Sequence, residues 1–219
     1  MSDQPARNPS EALMKLRSLI AAAAAAVLIP TLGAAPAGAQ EDTAPTLAGI
    51  LDAQGGTTDR NWYDFDILAA GVDAAGLSGA LDAPDADLTV FIPNDRAFQA
   101  LVADIYGPLY WFANEAMVLE KVVELEASAP GTLETVILYH AVSGQIDSRT
   151  ALSVPSGTQL TSLQGGTISV NPIGWLGTAV LGDQDRNDFD PWLVPSKLDI
   201  RASNGIAHGI SFVLRPADL

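Results

Sequence analysis

The run Leu88-Thr89-Val90-Phe91-Ile92-Pro93-Asn94-Asp95-Arg96-Ala97-Phe98 changes character halfway along. Leu88 to Ile92 is short, apolar and enriched in Val, Phe and Ile, the pattern of a buried strand. Pro93 stops it, having no N–H to give a ladder. Asn94 is a good N-cap, and Ala97, Phe98 and Leu101 recur at the spacing of one helix face. A buried strand therefore feeds a capped helix whose inner face covers it.

Upstream, helices are expected over 46–53 (Leu47, Ile50 and Leu51 on one face), 64–75 (Phe65, Leu68, Ala69, Val72) and 77–81. Downstream, helical patterning returns at 115–127 and 133–140. From Val154 the composition shifts to Gly, Thr, Ser and Val, with turns at Pro155-Ser156-Gly157 and Gly165-Gly166. Strands are expected at 158–163, 167–170 and 179–181. Two more, 197–202 and 206–214, are joined by Ser203-Asn204-Gly205, and Asn-Gly is a strong hairpin signal. Helices come mostly first and strands mostly last, which gives an α+β fold rather than a repeating βαβ sheet.

The first 39 residues read differently. A basic start at Met14-Lys15-Leu16-Arg17 precedes an apolar run, Leu19 to Ile29, and then the small-residue site Ala37-Gly38-Ala39. This order describes a cleaved secretory signal, and the run falls well short of the ~20 residues that span a bilayer. No transmembrane helix is expected in the mature protein. Met14 is an alternative start, since residues 1–13 are polar and precede the basic segment. Residues 40–61 read as a linker and short helix, and 62–219 as the domain.

The chain has 219 residues, 11 Lys+Arg against 26 Asp+Glu, a net charge of −15 and no cysteine. An acid excess of this size repels phosphate backbones and excludes nucleic acid as a partner. The absence of cysteine removes disulfides, zinc–thiolate sites and thiol nucleophiles. Two histidines are too few for a multi-histidine metal centre.

Three segments in order resemble the fasciclin-domain family: Leu88 to Phe98; Ile137-Leu138-Tyr139-His140-Ala141-Val142-Ser143-Gly144; and Asp199 to His208 with its Asn204-Gly205-x-x-His208 hairpin. The resemblance covers about 62–219. It implies a compact β-wedge of two sheets flanked by helices, and secreted or surface proteins that serve adhesion without catalysis. Asn94 stands where Thr or Ser is usual, Ser143 where Pro is usual and Ser211 where Asp is frequent. Two stretches, 102–131 and 182–195, are longer than is typical. In animal members the Tyr-His segment is implicated in integrin binding; here only its position carries over. Asn94, Phe98, Tyr139, His140, Asn204, Gly205 and His208 are read as mostly structural, with Tyr139, His140 and His208 set in the core and their polar tips satisfied by neighbours.

Two further groups are candidate sites. Asp183, Asp185, Asn187, Asp188 and Asp190 crowd eight residues, an oxygen density that suits Ca²⁺. The EF-hand pattern fails, however, with Asp188 at the glycine position and Val194 at that of the bidentate Glu. A solvated acidic loop is therefore the first reading and a weak calcium site the second. Tyr110, Trp111 and Phe112, with Tyr106 just before, concentrate aromatics in a chain only 6% aromatic. They form either a partner contact or a satellite core, and composition leaves both open.

No G-x-S-x-G elbow, P-loop or H-E-x-x-H occurs, so nothing points to an enzyme. The expected function is a secreted, non-enzymatic adhesion or extracellular interaction module without a required cofactor, located outside the cell or in a periplasm. Its partner is an extracellular protein or polysaccharide. A calcium-dependent ligand or polysaccharide binder is the alternative, and a hydrolase a distant third.

Overall fold

The computed structural model describes residues 44–55 and 58–217. The expected secretory segment, 1–39, lies outside the described residues. No helix among the described residues is long and apolar enough to cross a membrane.

Three helices lead: α1 (Leu47–Gln54), α2 (Asp66–Ala74) and the single turn α3 (Ser78–Leu81). Strand β1 (Leu88–Pro93) runs into α4 (Asp95–Tyr106), where Asn94 accepts the Ala97 N–H at 3.0 Å. A 3₁₀ turn, Pro108–Phe112, leads to α5 (Glu115–Ser128), which Asn114 caps through the Met117 N–H at 2.9 Å. After α6 (Thr132–Tyr139) come β2 (Ala141–Ser143), α7 (Ser148–Ser153) and the strands β3 (Thr158–Thr161), β4 (Thr167–Ile173) and β5 (Thr178–Gly182). A 3₁₀ turn at Pro195–Lys197 precedes β6 (Ile200–Ala202) and β7 (Gly205–Ile210).

The strands form two sheets. One has the order β2-β1-β7-β6, with β1 and β7 parallel and the outer pairs antiparallel; the other is the antiparallel β3-β4-β5. Single bridges, Val142 to Ser162 and Leu193 to Ile210, join the four-stranded sheet to elements of the second half. Every residue of β1 and β7 is buried, because the helices cover one face and the three-stranded sheet the other. Leu88, Val90 and Ile92 belong to the helix-side core with residues of α2, α4 and α5, while Phe91 lies in the inter-sheet core with Leu181, Leu193 and Ile210. A strand buried on both faces reads as a continuous apolar run rather than an alternating one, which is why 88–92 was legible. The α+β class holds.

Several boundaries differ from the sequence expectations. Pro93 is the last residue of β1 rather than its stop, facing Ile210 where no further ladder follows. The expected strand 197–202 begins only at Ile200, because Asp199 sits at φ 54° and breaks the extended chain. The expected strand 206–214 runs Gly205–Ile210. Elements β2 and α7 had no sequence signal; at three and six residues they are too short to show a period.

The hairpin connection also has a different chemistry. Ala202 pairs with Gly205, so Ser203 and Asn204 alone make the turn, and neither Asn204 nor Gly205 has a positive φ. A Cβ on Gly205 would lie 2.5 Å from the Leu88 carbonyl oxygen and 2.8 Å from Leu47 Cδ1. Glycine is required there by close approach to β1, not by turn geometry.

Candidate functional site

The motif residues turn inward. Tyr139 is fully buried and its hydroxyl donates to the Thr167 carbonyl at 2.6 Å, tying α6 to the second sheet. His140 Nδ1 donates to the Val136 carbonyl at 2.7 Å and Nε2 accepts the Leu214 N–H at 2.9 Å. Burial holds its pKa down, at about 4, and the ring is neutral. His208 has the opposite tautomer: Nδ1 accepts the Asp199 N–H at 3.2 Å and Nε2 donates to the Ile146 carbonyl at 2.8 Å. Burial lowers its pKa too. Asn204 accepts the Leu47 N–H at 2.9 Å and donates to the Leu81 and Ala83 carbonyls, both at 2.8 Å. Phe98 sits in the helix-side core. With both nitrogens of each ring engaged by backbone, neither histidine has a lone pair to offer a metal or a nucleophile.

The aromatic segment and the acidic loop, separate in sequence, meet at one cleft. Its volume is about 200 Å³, and it is lined by Asp104 and Trp111, by Asn187, Asp188 and Phe189, and by Phe212 and Arg215. Trp111 is 42% exposed and Phe189 78%. Phe212 stacks on Phe189 at 6.1 Å between centroids and meets Trp192 edge-on at 5.4 Å. The 3₁₀ turn that presents Trp111 is anchored from below. Buried Gln99 donates to the Ala113 carbonyl at 2.9 Å and to the Trp111 carbonyl at 3.3 Å, and Arg96 lies 5.2 Å from the Trp111 ring centroid. Gln99 carried no sequence signal, because its partners sit 12 and 14 residues on in an irregular turn. Tyr110 packs half-buried against the helix-side core, whereas Phe112 is 90% exposed.

The acidic loop is organised around one guanidinium. Arg215 Nη1 lies 2.8 Å from Asp104 and 3.3 Å from Asp185, and Nε is 3.1 Å from Asp188. Asp183 accepts the Arg215 N–H at 2.8 Å and the Asp185 N–H at 3.0 Å, and Asp190 accepts the Asp183 N–H at 3.3 Å. Burial pushes Asp183 up to about 7 and also raises Asp188. The stretch is thus a folded loop, internally hydrogen-bonded and paired to a buried arginine, rather than the solvated loop expected from composition. Asp190 and Asn187 lie toward its rim.

The fasciclin-domain model matches residues 63–216. The chain belongs to the fasciclin-domain family. Among solved structures, this fasciclin domain is similar to a domain pair from the insect cell adhesion molecule Fasciclin I, at a TM-score of 0.55 and 16% identity. The match covers 79% of the present chain and 51% of the insect one, so the chain spans about half the length of that structure. At that identity the likeness concerns the fold. Comparison with curated proteins finds no match. Within this fasciclin domain, the stretches 102–131 and 182–195 both contribute residues to the lining of the cleft, Asp104 and Trp111 from the first and Asn187, Asp188 and Phe189 from the second. The motif residues Tyr139, His140, Asn204 and His208 tie the core together, whereas Trp111 and Phe189 form part of a surface cleft.

Proposed function

We propose that this fasciclin domain is a secreted, non-enzymatic interaction module of the adhesion type, and that an extracellular protein or polysaccharide docks in the Trp111–Phe189 cleft. The observation that carries this reading is that the exposed aromatics Trp111 and Phe189 line one cleft together with the carboxylate-paired Arg215. Rigid, half-exposed Trp and aromatic rings bury much area at little entropic cost, as binding hot spots do. Asp104 and Asn187 add hydrogen-bonding groups at the rim. The engagement of both imidazoles by backbone supports a non-catalytic role. The alternative, calcium held by Asp183, Asp185, Asn187, Asp188 and Asp190, has less support, since Arg215 already supplies positive charge to Asp185 and Asp188.

The test is equilibrium binding of the purified domain to its native extracellular material. Trp111→Ala with Phe189→Ala is expected to weaken capture roughly thirtyfold, about 2 kcal/mol. Trp175→Ala, an exposed tryptophan outside the cleft, should leave it unchanged. Unaltered capture by the double variant overturns the reading.

A further inference from the structure

Three helices begin at one place, each with an acid at its first position: α2 at Asp66, α4 at Asp95 and α5 at Glu115. Asp59 and Asp64 lie on the approach to α2. One carboxylate oxygen each of Asp64, Asp95 and Glu115 lies within 4.8 Å of the others, and Asp64 belongs to a second such set with Asp59 and Asp66. Asp95 is 0% and Glu115 1% exposed.

Each of the three inner carboxylates is half satisfied. Asp64 Oδ2 accepts from the Asn61 side chain at 2.9 Å, Asp95 Oδ1 from the Ile67 N–H at 3.0 Å and Glu115 Oε2 from the Asp59 N–H at 2.6 Å. The remaining oxygens, Asp64 Oδ1, Asp95 Oδ2 and Glu115 Oε1, are buried and accept no hydrogen bond. Among the described residues, no lysine, arginine or histidine forms an ion pair with Asp59, Asp64, Asp95 or Glu115. Helix N-termini offset about half a charge each, which three carboxylates exceed. Buried unpaired oxygens on every member of a cluster are costly, and proteins fill such sites with a proton or a cation.

A proton shared between Asp64 and Asp95 answers only part of this. Burial and contact with Asp64 push Asp95 up to about 8, so Asp95 can hold a proton at neutral pH. Glu115 Oε1 still has no donor. One cation held by an oxygen from each carboxylate answers the charge of all three groups together. An all-oxygen, all-carboxylate donor set is that of a hard cation. Calcium accepts irregular geometry at ~2.3–2.6 Å, so donors on opposite sides of it stand about 4.6–5.2 Å apart, which accommodates separations within 4.8 Å; magnesium demands a tighter octahedron.

We propose that Asp64, Asp95 and Glu115 bind one calcium ion, with the more exposed Asp59 at its solvent side, fastening the segment before α2 to the starts of α4 and α5. The site is separate from the 183–190 loop and independent of the cleft.

The test is calorimetric titration of the chelator-treated full chain with CaCl₂ and, in parallel, MgCl₂, with melting followed alongside. The expected result is one calcium per chain and a melting temperature that rises with calcium and falls with chelator. Glu115→Gln and Asp95→Asn should each weaken binding at least tenfold, while Asp185→Asn with Asp188→Asn leaves it unchanged. Should either buried variant fail to fold, Asp64→Asn, at a half-exposed position, replaces it. No heat and no melting shift up to about 10 mM calcium, a response equal with magnesium, or calcium binding that survives Glu115→Gln would each overturn the proposal. Greater stability of Asp95→Asn without any calcium response would assign the cluster to a shared proton instead.

Discussion

His140 Nε2 accepts the backbone N–H of Leu214 at 2.9 Å, across 74 residues. The bond fixes the C-terminal segment, with Val213 and Leu214 buried, to the end of α6. It requires a neutral ring, because a proton on Nε2 would face the Leu214 N–H.

Acid should therefore release this segment. The folded pKa of His140, about 4, lies below the ordinary 6.5, so the unfolded chain binds the extra proton between those values. Its contribution is intact above pH ~6.5 and is lost as pH falls toward 4, up to roughly 3 kcal/mol. His208, also lowered, acts in the same direction. Asp183, raised to about 7, acts oppositely, since the folded state then takes the proton first. Urea unfolding of the parent and His140→Gln across pH 4–7 separates these: the gap between the two should narrow as pH falls. A constant gap would show that His140 does not titrate as described.

Asn204→Ala should cost on the order of 3–5 kcal/mol, because it strands the buried Leu47 N–H and the Leu81 and Ala83 carbonyls together. Asn204→Asp should be at least as damaging, since the two carbonyls would face a carboxylate. Denaturant midpoints of both variants check this; a loss under about 1 kcal/mol would mean water replaces the side chain.

Arg215→Met leaves buried Asp185 and Asp188 without their cation, an expected loss of about 3–5 kcal/mol at pH 7. Asp104, more than half exposed, adds little. The penalty should shrink as the pH falls, because burial raises the pKa of Asp188 and its protonation removes part of the uncompensated charge. Arg215→Lys should recover only part of it, as a single ammonium cannot replace the two guanidinium nitrogens that pair with separate carboxylates.

Trp111→Ala should cost about 1–2 kcal/mol of stability, below the ~3–5 of a fully buried tryptophan, because 42% of the residue is already in water. Gln99 continues to hold the turn through its backbone. A thermal or urea midpoint measures it; a loss above about 3 kcal/mol would make Trp111 a satellite-core residue.

Much of the fold was legible because its signals are local. Leu88 to Ile92 reads as buried without reference to any partner, and the Asn94 cap needs only Ala97, three residues on. The amphipathic faces of α1, α2 and α4 are likewise periodic within a dozen residues. The site was less legible. Trp111 and Phe189 face the same cleft across 78 residues of chain, and no spacing relates them. Asp185 and Asp188 read as part of a solvated acidic loop, or second as a weak calcium site, because their cation, Arg215, lies some 30 residues downstream. The Asp64, Asp95 and Glu115 cluster went unseen for the same reason: each acid stands alone at or near its own helix start.

The sequence by itself determined the class of fold, the order of its longer elements and the absence of thiol chemistry. Those follow from composition, hydrophobic period and caps, which act over a few residues. The tertiary structure decided what the marked residues do. Asn204 and Gly205 read as a turn, and became a three-way anchor and a point of close strand contact, because Leu47, Leu81, Ala83 and Leu88 arrive from the other end of the chain. Charge pairing was decided there as well, since electrostatics depends on distance in space and on burial, and neither is written in the spacing of residues along a chain.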